Sequence, residues 1–451
     1  MPISVDFAQR LLPILDELVA VYGTPFHIYD ARGIVNTHRE MTRAFGQVDF
    51  KQYFAVKALP NPHVLTLLLQ EGSGFDCSSP AELRLSQRVG AAGEDLVFTS
   101  NNTTVEEYRL ALDLGAIITF DDRSMLDKAA PLPPIVAFRV APLGSAAGSS
   151  LMGDTAVSKF GVPVDELCEA YAYARQIGAV CFGIHGMTCA NELSAARAIR
   201  AAEDLMKVAQ GVSDTVGIDF DYLNVGGGMG IPYRPDDPTF DFDAYAAAII
   251  AGRDRRFGRA RPPRILMECG RYVTGPHGVL ITRVVNRCRK SKEIVGLDAS
   301  MSALMRPGFY RGAYHHITIP FSEGRSPVAV DVVGSLCENI DKFAVDRLLP
   351  DPREGDIAVI HDTGAHGHAM GFTYNGRLRP AELLLTSDNS VVEIRRAETF
   401  EDYIATARRK PRLVLSAAPD RREPCLAPAD AARDSASIAS ICFDGEILAS
   451  R

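Results

Sequence analysis

Between Gln52 and Glu268 the chain repeats one unit, a short aromatic or β-branched run followed by a longer stretch with apolar residues at helical spacing. The strand-like runs are Tyr53–Val56, Gly74–Ser78, Asp95–Thr99, Ile117–Phe120, Ile135–Val140, Cys181–His185, Tyr222–Val225 and Ile265–Glu268, with helical periodicity over Pro80–Val89, Val105–Leu114 and Val164–Ile177. Eight strands that each lead into a helix predict an α/β fold of the TIM (β/α)8 barrel type rather than an open doubly wound sheet. Ahead of the repeat, apolar positions at helical spacing over 5–22 precede Gly23-Thr24-Pro25 and a strand-like Phe26–Tyr29. Beyond it the rhythm changes to short alternating runs without helices: Val279–Val285, His316–Ile319, Val328–Val333, Asp356–Ile360, Ala381–Leu385 and Ser390–Arg395. These predict a C-terminal β-rich domain of sandwich or barrel type, closed by a helix near Glu401–Arg408. The expected organisation is an N-terminal helix and strand over 1–40, the strand joining the β-rich domain; the barrel over 41–285; the β-rich domain over 286–415; and a poorly ordered Ala-, Asp-, Ser- and Pro-rich tail over 416–451.

With 451 residues, 47% apolar and 23% charged, the chain can fill two cores. A net charge of −8 with both signs interspersed offers no basic face for nucleic acid. No apolar run reaches the roughly 20 residues of a membrane span. Nine cysteines without a Cys-x-x-Cys pair, and a start (Met1-Pro2-Ile3-Ser4) that is not a basic region leading into an apolar one, fit a reducing cytoplasm. Small polar molecules are therefore the expected partners.

In a barrel of this type chemistry gathers at the C-terminal strand ends, and there the sequence places Lys57, Asp76, Asn101, Asp121, Arg139, His185, Gly226-Gly227-Gly228 and Glu268. Taken alone, Lys57 also reads as a stem that carries its ammonium past the strand into water. The glycines after the seventh strand let backbone amides approach an anion, or serve a tight turn. Glu268-Cys269-Gly270-Arg271 brings a carboxylate, a glycine and a guanidinium to the next strand end, where a surface ion pair is the plain alternative. In the β-rich region Gly334-Ser335-Leu336-Cys337-Glu338-Asn339 puts a thiol beside a carboxylate, and His361, His366 and His368 lack a clear further ligand at metal-binding spacing, so no metal is expected.

Together these stretches resemble the diaminopimelate decarboxylase branch of the alanine-racemase-like barrel enzymes, pyridoxal-phosphate-dependent proteins that include ornithine and arginine decarboxylases. The resemblance covers about residues 20–400. It rests on Tyr53-Phe54-Ala55-Val56-Lys57-Ala58, Gly74-Phe75-Asp76-Cys77-Ser78-Ser79, Ser158-Lys159-Phe160-Gly161, the triple glycine, Glu268-Cys269-Gly270-Arg271, Met305-Arg306-Pro307-Gly308-Phe309-Tyr310, Leu336-Cys337-Glu338, and Tyr374-Asn375 with Arg379-Pro380-Ala381-Glu382. The resemblance implies pyridoxal 5'-phosphate held as a Schiff base on Lys57, with Glu268 at the pyridine nitrogen and Asp76, His185, Gly227, Gly228, Gly270, Arg271 and Tyr374 around the cofactor. It implies substrate contacts from Arg306, Tyr310, Glu338 and Tyr374, with Cys337 as proton donor to Cα. Cys337 and Glu338 are then expected from the second subunit of a homodimer. A lysine desolvated in the barrel mouth is the expected nucleophile. The implied reaction is decarboxylation of meso-2,6-diaminopimelate to L-lysine in lysine biosynthesis; a decarboxylase of D-ornithine, D-lysine or another diamino acid, or an inactive regulatory homologue, are the alternatives. The sequence departs from the family at Met187, where a ring-stacking histidine is usual, at Ala190 for a serine, at Cys269 and Ser335 for prolines, and at His366 for a tyrosine.

Overall fold

A computed structural model of the chain describes residues 3–46, 48–143, 158–187, 189–258, 260–408, 410–412 and 414. The first helical pattern is two helices, Val5–Leu11 and Leu15–Tyr22, joined by one 3-10 turn over Leu12–Ile14 that contains Pro13. Proline has no N–H to donate into a continuing helix, which suits it to such a joint. The buried side of the pair, Phe7, Leu11, Leu15, Leu18 and Val19, packs on strand β1 (Phe26–Asp30) and its sheet.

Eight parallel strands then close into a barrel in chain order: β2 (Phe50–Ala55), β3 (Gly74–Cys77), β4 (Leu96–Thr99), β5 (Ile117–Phe120), β6 (Val136–Val140), β7 (Phe182–Gly186), β8 (Tyr222–Asn224) and β9 (Arg264–Met267). Each overlaps its predicted run. One cluster of side chains from alternate strand positions, Tyr53, Val97, Ile117, Ala137, Tyr222 and Leu266, packs together and is buried. The ring of Tyr222 takes the place a side chain at Gly183 would need, since a Cβ there would lie 2.2 Å from Tyr222 Cζ. Helices such as Pro80–Arg88, Val105–Asp113 and Leu167–Gln176 turn their apolar faces to the strands.

The remaining strands form a nine-stranded sheet with β1: β10 (Gly278–Arg289), β11 (Glu293–Leu297), β12 (Ile317–Thr318), β13 (Pro327–Val333), β14 (Lys342–Pro350), β15 (Ile357–Ile360), β16 (Ala381–Leu385) and β17 (Val391–Arg395). Its main path runs β14-β13-β11-β10-β1-β16-β17, with β15 on β10 and β12 on β15. β1 is held between β10, antiparallel, and β16, parallel. β11 and β14 were not among the predicted runs. β14 carries Lys342, Asp346 and Arg347 along its length and exposes Val345 and Leu348, so neither a clean alternation nor a buried run marks it. The last helix is Phe400–Ile404, shorter than expected; Thr399 and Asp402 form its capping box. Barrel and sheet belong to one compact unit, Met1–Ala405. The expected tail over 416–451 lies outside the described residues, among which no helix is long and apolar enough to cross a membrane.

Candidate active site

Lys57 is in the single 3-10 turn, Val56–Ala58, that ends β2. Pro60-Asn61-Pro62 keeps that turn from continuing: Asn61 Oδ1 accepts from His63 N at 3.0 Å to cap the helix Pro62–Gln70, and its Nδ2 donates to Glu382 Oε2 at 3.0 Å across to β16. Val56 and Ala58 are buried, while the Lys57 side chain between them is exposed. The expected desolvation of this lysine is therefore absent from the single chain, because the turn carries it out of the wall of the barrel. Its charge still reaches two carboxyl groups, favouring the ionised forms of Glu268 and Asp76.

Glu268 follows β9 directly and is buried. Asn224 Nδ2 donates to its Oε1 at 2.7 Å, Thr99 Oγ1 to the same oxygen at 3.4 Å, and His185 Nε2 lies 3.0 Å from Oε2. Burial alone would raise its pKa; the His185, Asn224 and Lys57 contacts outweigh burial and hold it below the ordinary carboxylate range. Asp76, at the end of β3, goes the other way. Burial, and next the charge of Glu268, push it well above its ordinary value, and its buried Oδ1 has no hydrogen-bond partner among the described residues. The surroundings thus push two neighbouring carboxyls in opposite directions, Asp76 towards its neutral form and Glu268 towards its ionised one. The Nδ1 of His185 is likewise buried and unpartnered among the described residues.

The glycine loop comes next to them. Gly228 has φ +92°, and a Cβ there would lie 1.8 Å from the carbonyl oxygen of Cys189, so no other residue fits. Met187, where the family has its stacking histidine, leans against the same loop, its Sδ 3.3 Å from where a Cβ on Gly226 would stand. The amides of Gly227, Gly228 and Gly270 donate to no acceptor among the described residues. Free amides, an unpartnered carboxyl oxygen and an ionised carboxylate are what a phosphorylated pyridine requires at its two ends, so the residues present fit pyridoxal phosphate. Arg271 opens a short helix, Arg271–Thr274, and its Nη1 donates to the hydroxyl of Tyr233.

Arg306 is 3% exposed. Its guanidinium lies 4.2 Å from the centre of the Tyr233 ring, Nη1 donates to His315 Nε2 at 3.1 Å, and Nε is buried with no hydrogen-bond partner among the described residues. No carboxylate forms an ion pair with it among the described residues. Tyr310 ends the helix Arg306–Phe309 and is close enough for its charge state to matter to Arg306. His366, at φ +56°, joins the two regions: its N–H donates to Ala58 O at 2.8 Å, and burial, then Arg271, Lys57 and Arg306, hold its pKa well below the ordinary histidine value.

Cys337, Glu338 and Tyr374 form a separate, exposed group. Cys337 N donates to Asn375 Oδ1 at 2.7 Å, and a hydrogen bond to Glu338 raises the pKa of the Tyr374 phenol. Asp341 anchors their loop by accepting from Leu336 N and Met301 N, each at 2.8 Å. Among the described residues no hydrogen bond or ion pair ties this group to Lys57, Asp76, His185 or Glu268. The other histidines are engaged elsewhere, His361 Nε2 with Thr318 Oγ1 at 2.9 Å and His368 Nδ1 3.8 Å from Glu382. No group of three or more His, Cys, Asp or Glu among the described residues is arranged to hold a metal. Sequence reasoning missed Thr99, Asn224, Tyr233 and His315. Thr99 and Asn224 stand at strand ends and could have been read there, whereas nothing local marks Tyr233 or His315.

A closed barrel with a lysine, an ionised carboxylate and a glycine loop at its strand ends defines a pyridoxal-phosphate enzyme, and comparison with known proteins agrees. Residues 31–275 match the pyridoxal binding domain of the pyridoxal-dependent decarboxylases. Diaminopimelate decarboxylase from Methanothermobacter thermautotrophicus is 36% identical over 86% of this chain and 92% of its own length. The protein named TabA from Pseudomonas amygdali pv. tabaci is 62% identical over 89% of this chain and 96% of its own. The structure of diaminopimelate decarboxylase from Helicobacter pylori complexed with L-lysine superposes with a TM-score of 0.79 at 28% identity, covering 87% of this chain and 98% of that one. The chain belongs to the pyridoxal-phosphate-dependent decarboxylases of the diaminopimelate decarboxylase family.

Proposed function

We propose that the chain decarboxylates meso-2,6-diaminopimelate to L-lysine and carbon dioxide, within lysine biosynthesis. The observation that carries the substrate reading is Arg306, a buried guanidinium with no carboxylate partner of its own among the described residues, 4.2 Å from the Tyr233 ring. A planar fork of this kind suits bidentate binding of the far carboxylate of a diamino dicarboxylic acid, and Tyr310 is the neighbouring hydroxyl. Pyridoxal phosphate, when bound, supplies an electron sink for the pair left behind as carbon dioxide departs.

The chain's own residues do the rest. The Lys57 amine holds the cofactor covalently, the amides of Gly227, Gly228 and Gly270 receive its phosphate, and Arg271 and Tyr374 border that end of the site. Glu268, kept ionised by His185 and Asn224, holds a proton at the pyridine nitrogen, and Asp76 lies beside it. Cys337, with Glu338, reaches the barrel mouth of a second copy in a homodimer and delivers the proton to Cα. The exposed position of that pair in the single chain supports this arrangement.

The relative at 62% identity carries a name that does not state a substrate, and Glu338 offers a carboxylate for a far ammonium, so a D-ornithine or D-lysine decarboxylase is the second reading. An inactive regulatory homologue is the third. Carbon dioxide release from the isomers of diaminopimelate and from both hands of lysine and ornithine decides among them. Diaminopimelate should be preferred. Arg306→Ala should lower its turnover by orders of magnitude, through the loss of about 2–5 kcal/mol, and lower any turnover of lysine or ornithine far less. Preference for a diamine acid, or equal losses on every substrate, overturns the diaminopimelate reading; no release from any substrate favours the inactive homologue.

A further inference from the structure

Arg306 is oriented by an acceptor that carries no charge. The Nδ1 of His315 lies 2.7 Å from the carbonyl oxygen of His361, which can only accept, so Nδ1 bears the ring proton and Nε2 presents its lone pair to Arg306 Nη1 at 3.1 Å. The ring is fully buried and meets Tyr233 edge-on, 5.0 Å between centres. Arg347 Nη1 donates to the carbonyl of His315 at 3.0 Å, so ring and backbone are both fixed. Burial, and next the neighbouring guanidinium of Arg306, hold the pKa of His315 well below the ordinary histidine value. The nearby carboxyl of Asp362 is itself pushed well above its ordinary range by burial, and it makes no ion pair with Arg306 among the described residues.

A glutamate in place of His315 would hold the guanidinium as firmly but would cancel its charge, and a substrate carboxylate would then compete with a resident one. A neutral acceptor fixes the direction of the fork and leaves its charge for the ligand. We propose that His315 is the positioning residue that sets substrate choice, by orienting Arg306 through an uncharged hydrogen bond so that the guanidinium selects substrates with a carboxylate at the far end. The inference rests on the reading of Arg306 given above.

Three variants test it, His315→Gln, His315→Asn and His315→Glu, with bound cofactor per chain as the measure of an intact barrel. The glutamine amide oxygen reaches the Nε2 position, so His315→Gln should keep KM for diaminopimelate within about threefold of wild type. Asparagine can still donate to His361 O but cannot reach Arg306, and glutamate reaches it with a charge; both should raise that KM by about tenfold or more with a smaller change in kcat. His315→Glu should also improve discrimination in favour of lysine or ornithine. Direct binding of a non-reacting dicarboxylate, pimelate, should follow the same order. Wild-type protein that does not turn over diaminopimelate defeats the substrate reading and this inference with it. Wild-type protein that does, with all three variants holding cofactor and shifting KM equally or not at all, defeats the inference alone. Should His315→Glu fail to hold cofactor, the Gln and Asn pair still decides, since a merely structural role gives no reason for the longer amide to rescue pimelate binding.

Discussion

Asp76 and Glu268 are the same functional group in one barrel mouth, and their surroundings drive them apart. Asp76 has its folded pKa raised above the ordinary 3.8 by burial and by Glu268, so the stability it contributes is complete below that value and is lost as pH rises toward its folded pKa. Cofactor-free Asp76→Asn protein should therefore be more stable than wild type at pH 7, by about 1–3 kcal/mol, and the gap should close toward pH 4. Urea titrations across that range check the sign; a less stable variant at pH 7 would mean that Asp76 is ionised and paired. Glu268 behaves oppositely: its folded pKa lies below the ordinary 4.5, so its contribution is present above that value and fades as pH falls. Glu268→Gln keeps the shape and removes the charge; turnover should drop about a hundredfold or more while the cofactor stays on Lys57. Lys57→Ala should abolish turnover with an unchanged far-ultraviolet circular dichroism spectrum, and borohydride should fix the cofactor to wild-type but not to Lys57→Ala protein. The motifs around these residues were readable because each follows a strand run that the sequence marks clearly. Their protonation states were not, since those depend on contacts such as His185 to Glu268 between side chains 83 positions apart.

At the scale of elements, the loop after β8 depends on backbone shape. Gly228→Ala would force a side chain to within 1.8 Å of the Cys189 carbonyl at φ +92° and should destabilise the protein by about 2 kcal/mol or more. Cofactor affinity should fall with it; thermal unfolding and cofactor titration read the two effects, and a variant with wild-type values for both would show that the loop can re-form around a side chain. Seven of the barrel strands match their predicted runs to within one residue at each end because each is a compact apolar run bounded by turn residues, whereas β2 begins three residues earlier, at Phe50, because Lys51 and Gln52 interrupt its apolar pattern. β14 escaped because it exposes Val345 and Leu348 and pairs with β13 through register shifts, which blur alternation. The N-terminal helix was located correctly, but its division around Leu12–Ile14 was not foreseen.

For the whole molecule, the proposed sharing of sites between two copies has a direct consequence. Mixed Lys57→Ala and Cys337→Ala proteins, each inactive alone, should recover activity after subunit exchange, since one of the two sites in a mixed dimer is then intact, giving roughly a quarter of wild-type turnover for a random mixture. Exchange proven by mass spectrometry without recovered activity would place each site within one chain. By itself the sequence determined the closed barrel, the family and the stations of Lys57, Asp76, Glu268 and the glycine loop, because strand periodicity and strand-end chemistry are local properties of a chain. Only the tertiary structure decided that β1 is clamped between β10 and β16, that Arg306 rests on Tyr233 and is aimed by His315, and that Lys57 stands exposed in the single chain. Those facts depend on contacts between distant segments, where burial and the absence of competing charges set the outcome and no local pattern records it.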